Sequence, residues 1–363
     1  MATTMPGRQK ATPNSLTTGQ LPRWVPWAVL AGSWAAMSAI VGFTGIASGA
    51  SEFNIALALF LGTVLYAILI FVISTLVEGR RKGKDRFVTA LVVSAFVIAL
   101  LPLVSLAFTV VVNGAARFDL TFFTNSMRNI VGEGGGALHA IVGTLEITGM
   151  AMLISVPVGL LTAIYLVEYG RGWLAKAITF LVDVMTGIPS IVAGLFAFAL
   201  FALLTGDPGF RSGFGGAVAL SLLMIPVVVR SSEEMLRIVP NELREASYAL
   251  GVPKWATIVK VVIPTSIAGI ATGVTLAIAR VIGETAPLLV IAGFTPSLNY
   301  DLFEGRMMTL PVFAYTQYMN PGADIAAYTE RAWTAALTLI LIVMILNLIA
   351  RLIAKFFAPK SGR

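Results

Sequence analysis

Val239-Pro240-Asn241-Glu242-Leu243-Arg244-Glu245-Ala246-Ser247-Tyr248-Ala249-Leu250-Gly251-Val252-Pro253-Lys254-Trp255 is a polar, well-punctuated segment between two long apolar runs, residues 215–236 and 258–292. Proline near its start and glycine then proline near its end are the punctuation of a short helix. Leu243, Ala246 and Leu250 fall at spacings of three and four on one side, with the charges on another. Such a face calls either for a protein partner or for the surface of the membrane. Gly251 adopts a positive φ at no steric cost, so a turn is expected there.

The chain around this segment has 363 residues, 57% of them hydrophobic and 12% charged, against roughly 25% charged in soluble domains. The balance implies an all-α, polytopic membrane protein. Apolar runs near the length of about 20 residues that a crossing needs fall at 27–48, 54–77, 88–112, 138–167, 174–204, 215–236, 258–292 and 332–357, eight spans in all. With both termini in the cytoplasm, cytoplasmic segments hold 19 of the 25 Lys and Arg, outer loops hold five, and Arg280 lies within a span. The opposite orientation breaks the positive-inside bias. The net charge of +7 is spread beside the spans as topology signals, not gathered into a nucleic-acid surface. The absence of cysteine excludes disulfides and thiolate chemistry, and a single histidine, His139, argues against an all-protein zinc site.

Residues 1–25 are polar, without the apolar stretch of a secretory signal, and are expected to form a disordered cytoplasmic tail. The run 26–50 ends in Ser48-Gly49-Ala50, a tolerable cleavage site, but is long for a signal. Residues 26–86 are expected to hold two accessory helices with acidic residues only at their edges, Glu52 and Glu78, no buried charge, and the basic linker Arg80-Arg81-Lys82-Gly83-Lys84-Asp85-Arg86. A core of six spans is expected over 87–357, followed by a cytoplasmic tail, 358–363. The span from Leu174 is predicted to break at Thr186-Gly187-Ile188-Pro189-Ser190, because proline lacks a donor and crowds the preceding turn. A break survives in a membrane only against protein or a water-filled cavity. Gly132-Glu133-Gly134-Gly135-Gly136 lacks the following Lys-Ser or Lys-Thr of a P-loop, so this chain is not expected to bind ATP in that way. His139 beside it reads as an interfacial hydrogen-bonding residue, and Arg230 as a snorkelling one.

Arg280 and Glu284 lie in Ala277-Ile278-Ala279-Arg280-Val281-Ile282-Gly283-Glu284-Thr285-Ala286-Pro287. A charge at the bilayer centre costs at least about 2.5 kcal/mol and marks a functional position by default. Four residues on a helix put both groups on one face. The pair reads either as a self-neutralising clamp or as a contact for an oxyanion, with Asp183 and Glu146 as further acidic groups at membrane depth.

Glu245-Ala246-Ser247, three residues, Gly251, nine residues, and Val261-Val262-Ile263-Pro264 resemble the EAA motif of binding-protein-dependent ABC importer permeases, with Ser247, Val261 and Ile263 as mild departures. Thr186–Val192, Pro226–Arg230, Glu233–Leu236, Arg244–Gly251 and Ile278–Leu289 together resemble the PstA-type permeases of phosphate-specific importers, over about residues 87 to 357. The resemblance implies a six-helix type I ABC importer core preceded by two extra spans. It also implies a heterodimer with a sister permease, two ATPase subunits holding ATP and Mg2+, and an extracytoplasmic phosphate-binding protein, in a bacterial cell membrane. This chain would hold no cofactor and have no ATPase site.

On that resemblance Glu245, Ala246, Ser247, Gly251 and Pro264, in a coupling helix over 240–255, engage the ATPase. Arg280, Glu284, Asp183 and Thr285 line the phosphate pathway. Glu284 has two open roles, holding Arg280 or accepting the proton of a protonated phosphate. Importers of sulfate or molybdate, an anion channel or secondary transporter, and a membrane sensor or scaffold are the rival classes.

Overall fold

The computed structural model describes residues 20–47 and 54–357. The expected tails over 1–25 and 358–363 therefore lie largely or wholly outside the described residues, as do Glu52 and the Ser48-Gly49-Ala50 site. The described helices are α1 (Val25–Ala47), α2 (Ile55–Glu78), α3 (Arg80–Gly114), α4 (Leu120–Thr124), α5 (Leu138–Ile164), α6 (Gly172–Thr186), α7 (Ser190–Thr205), α8 (Gly213–Ile238), α9 (Asn241–Ala249), α10 (Lys254–Thr257), α11 (Ile263–Val281), α12 (Ala286–Ile291), α13 (Leu310–Met319) and α14 (Ile325–Phe357). Seven stretches are long and apolar enough to cross a membrane, and α6 with α7, bent by 108°, form an eighth if counted as one span.

The chain divides into two compact units, 1–107 and 108–363. In the first, α1 and α2 pack with Gly62 against Trp34, whose indole N–H donates to Thr63 Oγ1 at 3.1 Å. Asn54 caps α2 by accepting from the Leu57 N–H at 2.9 Å. The reading that this unit buries no charge is corrected at Glu78, whose side chain is only 2% exposed. Its carboxylate accepts from Arg86 at 2.6 and 2.9 Å, from Ser74 Oγ at 2.7 Å and from the Leu21 N–H at 2.9 Å. A buried carboxylate persists here because each oxygen has charged or polar donors.

The second unit is built on α5 and α8. Small residues line the contact, as helices without a hydrophobic drive between them require. A Cβ on Gly159 would sit 2.7 Å from Val228 Cγ1, and Ser155 Oγ donates to the Ser221 carbonyl at 3.5 Å. Helix α11 runs antiparallel to α8, with Gly269 against Met235 and Gly273 against Ser231. The helix entering α11 contains a π-type segment, Ile258–Val262, just before Pro264. Proline cannot donate and crowds the carbonyl four residues back, so the widened turn is the local accommodation.

Two helices break. Between α6 and α7, Pro189 ends the ladder, and Gly187 and Ile188 donate instead to Val184 and Met185 carbonyls at 3.0 and 3.3 Å. The apolar run 258–292 also divides, correcting its reading as one span: α11 ends at Val281, a turn follows, and α12 starts at Ala286. Pro287 in the first turn of α12 explains the restart, since proline is tolerated where a helix donor is orphaned anyway. The halves meet where Gly194 of α7 lies against Pro287, and a Cβ at 194 would be 2.5 Å from Pro287 Cα.

The glycine-rich loop is held by Arg331, which is fully buried. Its guanidinium donates to the Gly132 and Gly134 carbonyls at 2.7 and 3.0 Å and to Gln317 Oε1 at 2.9 Å, and lies 4.4 Å from the Tyr328 ring centre. His139 is corrected too: it is 2% exposed, edge-on to Phe313 at 5.4 Å, and neither ring nitrogen has a hydrogen-bond partner among the described residues. Its polar neighbours on α5 bond elsewhere: Thr144 donates to Ala140 and accepts from the Leu310 N–H.

Gly194→Val is expected to force α7 off α12 and destabilise the second unit by about 1–3 kcal/mol, the usual cost of overpacking. A thermal-inactivation series on the solubilised protein checks this, with Gly149→Val, where a Cβ meets open space, as the tolerated control.

Candidate functional site

The segment between α8 and α11 folds as two short helices, α9 and α10, joined at Leu250 and Gly251. Gly251 has φ +77°, the left-handed region that suits glycine. Leu250 is 83% exposed and Trp255 63%, and Leu243, Glu245, Ala246 and Tyr248 are exposed as well. An apolar face this open on a polar helix suits either a protein partner or the membrane surface. Ser247 departs from its sequence reading as a coupling contact. It is buried, its hydroxyl is 2.8 Å from Thr257 Oγ1, and its carbonyl accepts from the Val252 N–H at 3.2 Å. It ties α9 to α10 across the turn. Pro264 lies two turns further on, exposed at the start of α11.

Sequence reasoning missed what fixes this segment to the rest of the unit. Arg244 donates to Glu168 Oε1 at 3.0 and 2.9 Å, to the Val239 and Leu236 carbonyls at 2.6 and 3.0 Å and to Asn241 Oδ1 at 3.3 Å. Both side chains are largely buried, at 12% and 6% exposure. Lys254 adds a hydrogen bond to the Glu168 carbonyl and lies 4.7 Å from the Tyr169 ring centre. Glu168 and Tyr169 belong to a π-type segment, Tyr165–Tyr169, that ends the α5 rod. The separation of 76 positions between Glu168 and Arg244 leaves no local pattern. The one available signal was an acidic residue ending a span and an arginine beside the motif.

Arg280 stands in the last turn of α11. Following the contacts of Gly269 with Met235 and of Gly273 with Ser231 up the antiparallel pair brings Arg280 level with Met224, twelfth of the 26 residues of α8. The guanidinium is therefore carried near mid-depth. It lies on the exposed side of α11 with Thr272 and Leu276, away from the unit's own core. The expectation that Arg280 and Glu284 share a helical face is corrected, because the helix ends at Val281 and Glu284 lies in the turn beyond, its N–H donating to the Val281 carbonyl at 3.1 Å. Neither has an ion-pair partner among the described residues, so the self-neutralising clamp is absent. Thr285 is half-buried at the cap of α12, and its carbonyl accepts from the Leu289 N–H at 2.9 Å.

Asp183 is not brought to this group. It ion-pairs with Arg230, whose other nitrogen donates to Glu233 at 3.0 Å, and Arg237 donates to Glu233 at 2.7 Å. Arg230 is thus a bridge between α6 and α8, which corrects its reading as a free snorkelling side chain. Glu146 keeps one buried carboxylate oxygen without a partner among the described residues. No three His, Asp or Glu side chains among those residues converge as a metal would require.

The broken helices, the mid-depth arginine and the exposed two-helix segment between α8 and α11 fit a multi-pass membrane permease of the type I ABC importer fold. Residues 155–363 match the family described as binding-protein-dependent transport system inner membrane component. The phosphate transport system permease protein PstA 1 of Mycobacterium tuberculosis is 49% identical over 289 residues, 78% of this chain and 91% of that one. The PstA protein of Yersinia pestis is 38% identical over 295 residues, 79% of this chain and 97% of its own. A bacterial alginate ABC transporter, solved in complex with an alginate pentasaccharide-bound periplasmic protein, matches with TM-score 0.55 at 14% identity over 77% of this chain and 97% of that one, a likeness of fold alone. The chain belongs to the binding-protein-dependent inner membrane transport family and, within it, to the PstA-type permeases.

Arg244→Ala is expected to loosen α9, because it leaves Glu168 buried and unpaired at a cost of about 3 kcal/mol. Hydrogen exchange at the amides of 241–249 should accelerate, and the Glu168→Ala, Arg244→Ala double variant should exchange more slowly than the sum of the single effects requires.

Proposed function

We propose that this chain is one permease subunit of an ATP-driven importer that passes inorganic phosphate into the cytoplasm. The observation that carries the reading is Arg280: an unpaired guanidinium near mid-depth, facing out of its own unit, on a helical rod that begins beside Gly251. The high identity to proteins named as phosphate transport system permeases supports phosphate as the cargo. An arginine offers planar donors matched to two oxygens of one phosphate.

In this reading both termini lie in the cytoplasm and α9 and α10 dock on an ATPase partner, two copies of which hold ATP and Mg2+. Glu245, Ala246 and Gly251 lie at that contact, while Ser247 braces it from within and Pro264 starts the rod that follows. The exposed stripe of Thr272, Leu276 and Arg280 faces a sister permease across the pathway. A soluble phosphate-binding protein delivers cargo at the opposite end. This chain breaks no substrate bond and holds no cofactor. Its part is to bind, release and move.

Movement is transmitted through a rigid path. Arg244 and Lys254 join α9 and α10 to the end of α5, and α10 continues as one helix to Val281. A displacement of the docking segment is therefore delivered to the turn that carries Glu284 and Thr285. Glu284 lacks the ion pair with Arg280, which leaves its carboxylate able to accept from a protonated phosphate. Asp183 acts on the pathway at most through Arg230, as a brace between α6 and α8.

Labelled phosphate uptake into vesicles holding the whole complex, with and without ATP and with sulfate or molybdate as competitors, tests the assignment. ATP-dependent phosphate uptake resistant to both competitors is expected; transport of sulfate or molybdate in its place would overturn the phosphate reading. Arg280→Ala should abolish uptake while the complex still assembles and binds ATP, and Arg280→Lys should retain part of it. Gly251→Val should uncouple ATP hydrolysis from uptake, since the left-handed turn costs a non-glycine residue about 1–2 kcal/mol and a β-branched one more.

A further inference from the structure

At the end of the second unit away from α9, the α7–α8 loop and the loop after α12 flank a wide, open depression of about 330 Å3 lined by Asp207, Phe210, Arg211, Glu304 and Arg306. Open to solvent, it admits a small hydrated anion directly. Two arginines converge on it. Their stems pack over one residue: a Cβ on Gly293 would lie 3.3 Å from Arg306 Cγ and Cδ and 3.4 Å from Arg211 Cδ. Gly293 has φ +74°, so both the missing side chain and the left-handed backbone bring the stems together. Arg211 is held by the Phe198 ring, 4.5 Å away, and donates to the Phe210 and Gly209 carbonyls at 3.3 and 3.4 Å. Arg306 lies 6.0 Å from the Phe294 ring centre.

Neither guanidinium forms an ion pair among the described residues, although two carboxylates line the same cleft. Asp207 is engaged instead in capping its own loop, accepting from the Gly209 N–H at 2.7 Å. Like charges placed side by side repel, and a shared oxyanion turns that repulsion into two charge-assisted contacts. The neighbouring carboxylates keep such a site weak, which suits a station that has to release what it receives.

Along the chain, α12 joins the cleft to the mid-depth arginine. Gly293 follows α12, and α12 begins at Thr285 and Glu284. Six helical residues span about 9 Å, so a single short helix separates the cleft from the turn above Arg280.

We infer that Arg211 and Arg306 form an entry site for the tetrahedral oxyanion, one short helix beyond Glu284 and Thr285. The inference rests on the phosphate-permease reading above and adds a second anion station to it. Phosphate released at the outer end is received by the arginine pair before it reaches Arg280.

The test uses the whole complex in proteoliposomes, supplied with saturating phosphate-loaded binding protein, and compares wild type with the Arg211→Gln, Arg306→Gln double variant. Phosphate uptake is expected to fall about tenfold, the factor for losing a charge-assisted contact. The concentration of loaded binding protein that half-maximally stimulates ATP hydrolysis should stay within about twofold of wild type on the same scale. The Arg211→Lys, Arg306→Lys variant, which keeps the charge, should recover part of the rate and guards against a folding defect. Unchanged uptake overturns the inference. So does a rise in the half-maximal binding-protein concentration that accounts for the lost uptake, since the arginines would then dock the partner and not the anion. Failure of the wild-type complex to take up phosphate would count against the phosphate reading itself, a result separate from any difference between the variants.

Discussion

A helix that stops inside a membrane leaves backbone donors and acceptors with no water to turn to. This chain stops two helices and sets the broken parts against each other, Gly194 of α7 on Pro287 of α12. The donors at the first break are taken up in tightened turns by Val184 and Met185, and at the second by a last helical bond to Ile278 and a tightened turn onto Val281. Gly194 is small enough to let the two backbones approach. The turn bearing Glu284 and Thr285, and the end of α11 bearing Arg280, are supported by that contact, so the candidate site depends on how the breaks are packed.

The same unit separates its charges by task. Glu168 with Arg244, and Asp183 with Arg230 and Glu233, are paired and hold helices to one another. Arg280 and the Arg211 and Arg306 pair are left without ion-pair partners among the described residues. A buried or half-buried charge persists when it is matched, and one held ready for a ligand is matched when the ligand arrives. Pairing alone does not sort the arginines, since Arg331 is structural without an ion pair, held by carbonyls and Gln317; Arg280, Arg211 and Arg306 differ in that no such carbonyl cage encloses them and they stand partly or fully open. Between the two groups runs the rod from Lys254 to Val281, which joins the docking segment to the mid-depth site.

Much of this was legible beforehand. Long apolar runs report membrane helices directly, because about 20 residues are needed to cross and few soluble elements match that. Thr186–Ser190 announced its break through proline chemistry, and Gly251 its turn through the conformational freedom of glycine. The docking segment was recognisable because its helix punctuation and its spacing to Pro264 are local, and its apolar face is open as the pattern required. The division of the run 258–292 was passed over although Gly283 and Pro287 punctuate it much as Gly187 and Pro189 punctuate the other break; the fold adds where the halves meet, with Pro287 against Gly194 of α7.

Local chemistry written along the chain thus set the all-helical, membrane-spanning class, the site of the α6–α7 break and the short two-helix segment at 241–257, each being a property of neighbouring residues. Pairing across long separations was settled by the fold. Arg244 finds Glu168, Asp183 finds Arg230, Arg211 meets Arg306 over Gly293, and Glu284 loses the helical face it was expected to share with Arg280. These outcomes depend on which helices approach closely enough for charged groups to meet, and that is governed by glycine and proline contacts between elements far apart in sequence.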